Sequence, residues 1–107
     1  MSLRGGTSLR RRFLEEATTA LRARGARLVI GRGAQRREER SGEWSSASMS
    51  CELIDDGMAL GHIEVCPRRD GTPYSNGELA ELEKTAAVVA RAYVLAERLA
   101  LARTPGG

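Results

Sequence analysis

From Ser75 to Thr104 the chain reads as one uninterrupted helix, and past its first turn that stretch contains neither proline nor glycine. Its start is well specified: Ser75 can cap the helix, Glu78 three residues on completes a capping box, and Tyr74 before the cap can staple onto Leu79. Pro105, Gly106 and Gly107 end it. Nearly thirty residues at 1.5 Å each make roughly 40 to 45 Å, longer than a domain of this size is wide. Two apolar series run along it. Leu79, Leu82, Ala86, Val89, Tyr93 and Ala96 form one, and Val88, Ala92, Leu95, Leu99 and Ala102 the other, each alternating three and four residues in the manner of a heptad seam. At about 100° per residue they lie roughly 120° apart. A helix covering one side of a sheet needs one stripe, so the second needs another partner. A helix expected nearer the N-terminus, at about 8–24, is a candidate for part of it. The reading adopted is that a second copy covers it, the terminal helices of both copies forming a four-helix bundle.

The 74 residues before this helix must supply what the first stripe covers. A chain of 107 residues is one domain with a single modest core, expected over 8–104, with 1–7 a flexible start and 105–107 a tail. No run is apolar for the ~18 to 20 residues that cross a bilayer, and the basic start "MSLRGGTSLRRRF" lacks the apolar core of a secretory signal. A cytoplasmic protein without membrane contact is expected. The charge of +3 comes from arginine, with Lys84 the one lysine, and fourteen acidic residues are interspersed. That is the pattern of a solvated surface rather than of a nucleic-acid-binding face. Cys51 and Cys66 are too few and too poorly spaced for a zinc site or a disulfide scaffold, so buried thiols are the default.

Leu9, Phe13, Ala17, Ala20 and Leu21 recur at helical spacing, placing a helix at about 8–24, with Thr7 or Ser8 as cap and Gly25 as stop. "ARLVI" reads as a strand, "GRG" as a turn, "AQRREERSG" as a polar strand or loop, and "EWSSASMS" as a loop or weak edge strand whose Trp44 folds back onto apolar surface. "SCELIDDGMALGHIEV" is a hairpin turning at Asp56-Gly57. A regular two-residue turn pairs Ile54 with Ala59, Leu53 with Leu60, Glu52 with Gly61 and Cys51 with His62. Cys51, Leu53, Leu60 and His62 then share one face. Ile54, Ala59, Gly61, Ile63 and Val65 share the other, where Gly61 admits the backbone of a packed helix.

"CELIDDGMALGHIEVCPRRDGTPYSNGELAELEKTAAVVARAYVLAERL" resembles the C-terminal half of a GAF domain, in the order strand, "DDG" turn, strand, loop, aromatic plus Ser75, and long Ala-rich helix. It looks most like the short GAF domains that precede the kinase core in actinobacterial sensor histidine kinases. The resemblance implies an α+β fold, an antiparallel sheet with the N-terminal and the long C-terminal helix on one face and a ligand pocket on the other. It further implies a non-catalytic sensory domain of a two-component system, with a downstream kinase domain in the parent chain. Residues 34 to 50 are too few and too polar for the helical lid that ligand-binding members build.

On the assumed register, Cys51, Leu53, Leu60 and His62 would line any small-molecule site, while Val88, Ala92, Leu95, Leu99 and Ala102 would line the homodimer interface. No metal site or cofactor is expected, since two possible ligands fall short of the four a structural metal usually takes. Asp55 and Asp56 serve the turn. No nucleophile with a base and an orienting group is visible, and "GRG" lacks the strand-to-helix setting of a phosphate loop, so no enzymatic activity is expected. The alternative is a small-molecule, haem or redox-binding sensor domain of a transcriptional or other signalling regulator, using Cys51, His62 and Cys66.

Overall fold

A computed structural model describes residues 9–103. The order is α1 (Leu9–Ala20), β1 (Gly25–Ile30), a 3-10 turn (Gly33–Gln35), β2 (Arg37–Gly42), β3 (Met49–Asp55), β4 (Met58–Val65) and α2 (Asn76–Arg103). The strands make one antiparallel sheet in the order β2-β1-β4-β3. Both helices lie on one face of it, since their buried residues join the same core as the inward side chains of β1, β3 and β4. This is the α+β architecture expected. The expected cap at Thr7 or Ser8, the segments 1–7 and 105–107, the helix end at Thr104 and the side chain of Ala102 lie outside the described residues.

The core follows from strand periodicity. Ala26, Leu28 and Ile30 of β1 stand opposite Val65, Ile63 and Gly61 of β4, and Leu53 of β3 stands opposite Gly61. Against this apolar patch pack Leu14 and Leu21 from α1 and its exit, and Leu82, Ala86, Val89 and Ala90 from α2. Helix α1 runs antiparallel to α2, since Leu9 and Phe13 flank Val89 to Ala96 while Ala17 to Leu21 flank Ser75 to Leu82. β2, "REERSG", is an edge strand whose charged side chains discourage pairing with another sheet.

Two details differ from the sequence reading. Helix α1 ends at Ala20 rather than near residue 24, and Gly25 opens β1 instead of stopping the helix. The stop is Arg22, in the left-handed region at φ 55°. Around it the Ala23 N–H donates to Thr18 O (3.0 Å) and the Arg22 N–H to Thr19 O (3.1 Å), the two bonds of a Schellman ending.

The second difference is in the hairpin. Asp56 and Gly57 both take positive φ (53° and 77°), the two-residue turn expected, and Asp55 pairs with Met58 and Ile54 with Ala59. Leu60 is then an extra residue. Beyond this bulge Leu53 faces Gly61, Glu52 faces His62 and Cys51 faces Ile63, one position off the regular register. The Leu60 carbonyl accepts the Gly31 N–H at 2.9 Å instead, binding the bulge to the end of β1. The backbone that Gly61 admits belongs to β1, not to a helix: a Cβ there would collide with the Val29 carbonyl and lie 2.8 Å from Ile30 Cα.

Candidate interaction surface

A one-residue shift moves side chains between sheet faces, and it separates the residues expected to share a ligand site. Leu53 is fully buried, while Cys51 and Leu60 are half-buried against the helix-side core. His62 stands on the opposite face, its Nε2 3.7 Å from Glu64 Oε1. Cys51 and His62 therefore form no pair. Burial, with a smaller contribution from Glu83, pushes the Cys51 thiol up to about 11, so at neutral pH it is protonated and a poor ligand or nucleophile. Among the described residues no group of three or more His, Cys, Asp or Glu side chains is placed to hold a metal ion.

The outer face of the sheet is occupied by ion pairs. Arg27 donates through Nε and Nη2 to Glu64 Oε1 (2.9 and 2.6 Å), approaches Glu38 at 3.8 Å, and carries the Trp44 ring 4.7 Å from its guanidinium carbon. Arg40 adds a bond to Glu38 at 2.9 Å, which holds that carboxyl below its ordinary range. Trp44 does fold back, but onto a cation rather than an apolar surface.

At the start of α2 the capping box forms as the sequence indicates. Glu78 N–H donates to Ser75 Oγ (3.1 Å) and Ser75 N–H to Glu78 Oε1 (2.8 Å). Arg68 is an addition that the sequence does not announce. It is 5% exposed, with Nε donating to the Leu21 carbonyl at 2.8 Å, Nη1 to the Pro73 carbonyl at 3.2 Å, and Nη2 to Glu78 Oε2. Tyr74 lies under its guanidinium at 4.6 Å and donates its hydroxyl proton to the Cys66 carbonyl at 2.6 Å. The end of α1, the 66–74 loop and the first turn of α2 thus meet on one buried cation. The Ser75 N–H first, then the Arg68 charge, hold the Glu78 carboxyl below its ordinary 4.5.

The far end of α2 is different. Its 28 residues span about 42 Å, against about 26 Å for the eight residues of β4. Leu82, Ala86 and Val89 of the first stripe are buried on the sheet, and Leu79 and Tyr93 are half-buried. Every residue from Leu95 to Leu101 is exposed. In the second stripe Val88 is 51%, Leu95 44% and Leu99 59% exposed, Ala92 is half-buried, and Leu101 nearby reaches 74%. Helix α1 covers only the flank of this stripe. It leaves a hollow of about 70 Å³ lined by Leu9, Phe13, Val89, Ala92, Tyr93 and Ala96. Apolar cavities that take up a benzene-sized molecule hold ~150 Å³, so this hollow suits a side chain better than a ligand. On the other flank Ile54 and Met58 of the hairpin are exposed, with Arg91 reaching Asp55 at 3.3 Å.

No helix among the described residues is long and apolar enough to cross a membrane. No protein-family model matches the chain, and no curated protein matches it either.

Proposed function

We propose that this chain is a non-catalytic, signal-transmitting domain of the GAF type that works as a homodimer through α2 and belongs to a cytoplasmic two-component sensor kinase. The observation that carries the reading is the apolar stripe Val88, Leu95 and Leu99, exposed on a helix whose other stripe is already used by its own sheet. Full burial of such side chains is favourable by about 1.5–3 kcal/mol each, and with Val88, Leu95 and Leu99 still about half exposed an isologous pair can recover roughly half of that per residue. Ala92 and Ala96 let a second helix approach closely, and Leu9 and Phe13 extend the apolar surface onto α1.

The kinase context rests on the likeness of residues 51–103 to the short GAF domains. The arrangement suits that role. A helix anchored at Arg68 and exposed from Leu95 to Leu101 delivers motion where a following domain would begin, and a dimer would pass it to a pair of downstream helices. The filled outer face and the separation of Cys51 from His62 favour transmission over haem, metal or redox sensing. Light scattering on the eluting chain tests the dimer. The expected mass is twice 11.6 kDa, falling to 11.6 kDa in a Leu95→Asp, Leu99→Asp variant that keeps its helical content. A wild-type chain that elutes as a monomer at 100 μM-scale concentration contradicts it.

A further inference from the structure

The outer-face strap and the helix anchor are hung on the same residue. On one side of Cys66, the Ser45 N–H donates to its sulfur at 3.3 Å and the thiol points to the Glu43 carbonyl at 3.7 Å, fixing the segment that lays Trp44 over Arg27. Two further bonds hold that strap, Glu43 N–H to the Arg24 carbonyl (3.1 Å) and Ser48 N–H to the Val65 carbonyl (2.7 Å). On the other side of Cys66, its carbonyl accepts the Tyr74 hydroxyl, and Tyr74 supports the Arg68 guanidinium that grips Leu21, Pro73 and Glu78. Cys66 itself is fully buried and bonded through its N–H to the Gly25 carbonyl at 2.9 Å. It has little room to move independently of either side.

We infer that Cys66, Tyr74 and Arg68 form a clip that couples the Trp44 strap on the outer face of the sheet to the first turn of α2 on the inner face. Lifting the strap, as a partner or ligand engaging the Arg27–Glu64 pair would do, removes two of the contacts that seat Cys66. The Cys66 carbonyl then holds Tyr74 less firmly, and the Arg68 grip on the α2 cap loosens. The clip takes its purpose from the transmission reading above, but it is contained in one protomer and does not require the dimer.

Trp44 is the single tryptophan, so its emission reports the strap alone. Hydrogen exchange of residues 76–82 reports the α2 anchor. Tyr74→Phe deletes one hydroxyl on the inner side and is expected to red-shift Trp44 emission and raise its quenching by acrylamide. Trp44→Ala changes only the outer side and is expected to speed exchange in 76–82 by roughly five-fold, the lower end of what coupled sites show. The double variant exchanges less than the two single effects combined. If neither readout moves, the clip is wrong. If only one moves, it is equally wrong, because a coupling free energy acts in both directions. Repeating the pair in the Leu95→Asp, Leu99→Asp background separates this from the dimer: the clip predicts the same responses in a monomer.

Discussion

Cys51 carries the alternative ligand or redox reading of the sequence, where a buried thiol is the default, and its surroundings make it inert. Its thiol is held up to about 11, first by burial against the core and then by Glu83. Alkylation by iodoacetamide at pH 8 should therefore be at least ten-fold slower than for a free cysteine, and should accelerate steadily up to pH 11. Because the folded state keeps this proton longer than the unfolded chain, stability falls between pH 9, the thiol's ordinary value, and pH 11. The opposite sign applies at Glu78. Its carboxyl is depressed below 4.5, first by the Ser75 N–H and then by the Arg68 charge, so its contribution is complete above that pH and is lost as pH falls through the folded value. Arg68→Met leaves the Leu21 and Pro73 carbonyls without a donor and should cost about 3 kcal/mol at pH 7 by denaturant melts. The gap to wild type should narrow below pH 4.5. The capping box was readable because Ser75 and Glu78 are three residues apart; Arg68 was not, because Leu21 lies 47 residues away in sequence and "CPRRDG" has the composition of a wet turn.

At the scale of elements, periodicity and turn chemistry placed the helices, the β1 strand and the hairpin, because each signal lies within a few adjacent residues. The bulge at Leu60 escaped for the complementary reason. It arises where β4 meets β1, through the Gly31 N–H to Leu60 carbonyl bond and the tight passage of Gly61 beside Val29, and neither leaves a mark in the hairpin's alternation. That one extra residue moved Cys51 away from His62 and dissolved the candidate ligand set. Gly61→Ala tests it directly: with the Val29 carbonyl in the path of a Cβ, the variant should lose about 3 kcal/mol or more in a urea melt. A regular hairpin with space beside residue 61 would accept alanine with a loss near 0.5 kcal/mol at most, as at a surface position. The end of α1 was missed similarly, since a Schellman ending at Arg22 uses a residue with no special preference for positive φ while Gly25 stands nearby as a decoy.

For the molecule as a whole, the principal extents of 54 × 36 × 22 Å describe a flat two-layer domain drawn out along α2. The helix is pinned at one end by Arg68 and its cap, rides the sheet through its middle turns, and leaves the sheet with its second apolar stripe uncovered. From Leu95 to Leu101 every residue is exposed, so this end of α2 frays more readily than its buried middle turns unless a second copy packs on it. Concentration-dependent hydrogen exchange across residues 95–103 tests the dimer most directly. The account predicts protection at 100 μM-scale concentration that disappears on dilution to the nanomolar range, while residues 82–90 stay protected throughout. Exchange in 95–103 as fast as an unfolded chain at every concentration, or protection that dilution leaves untouched, would contradict it.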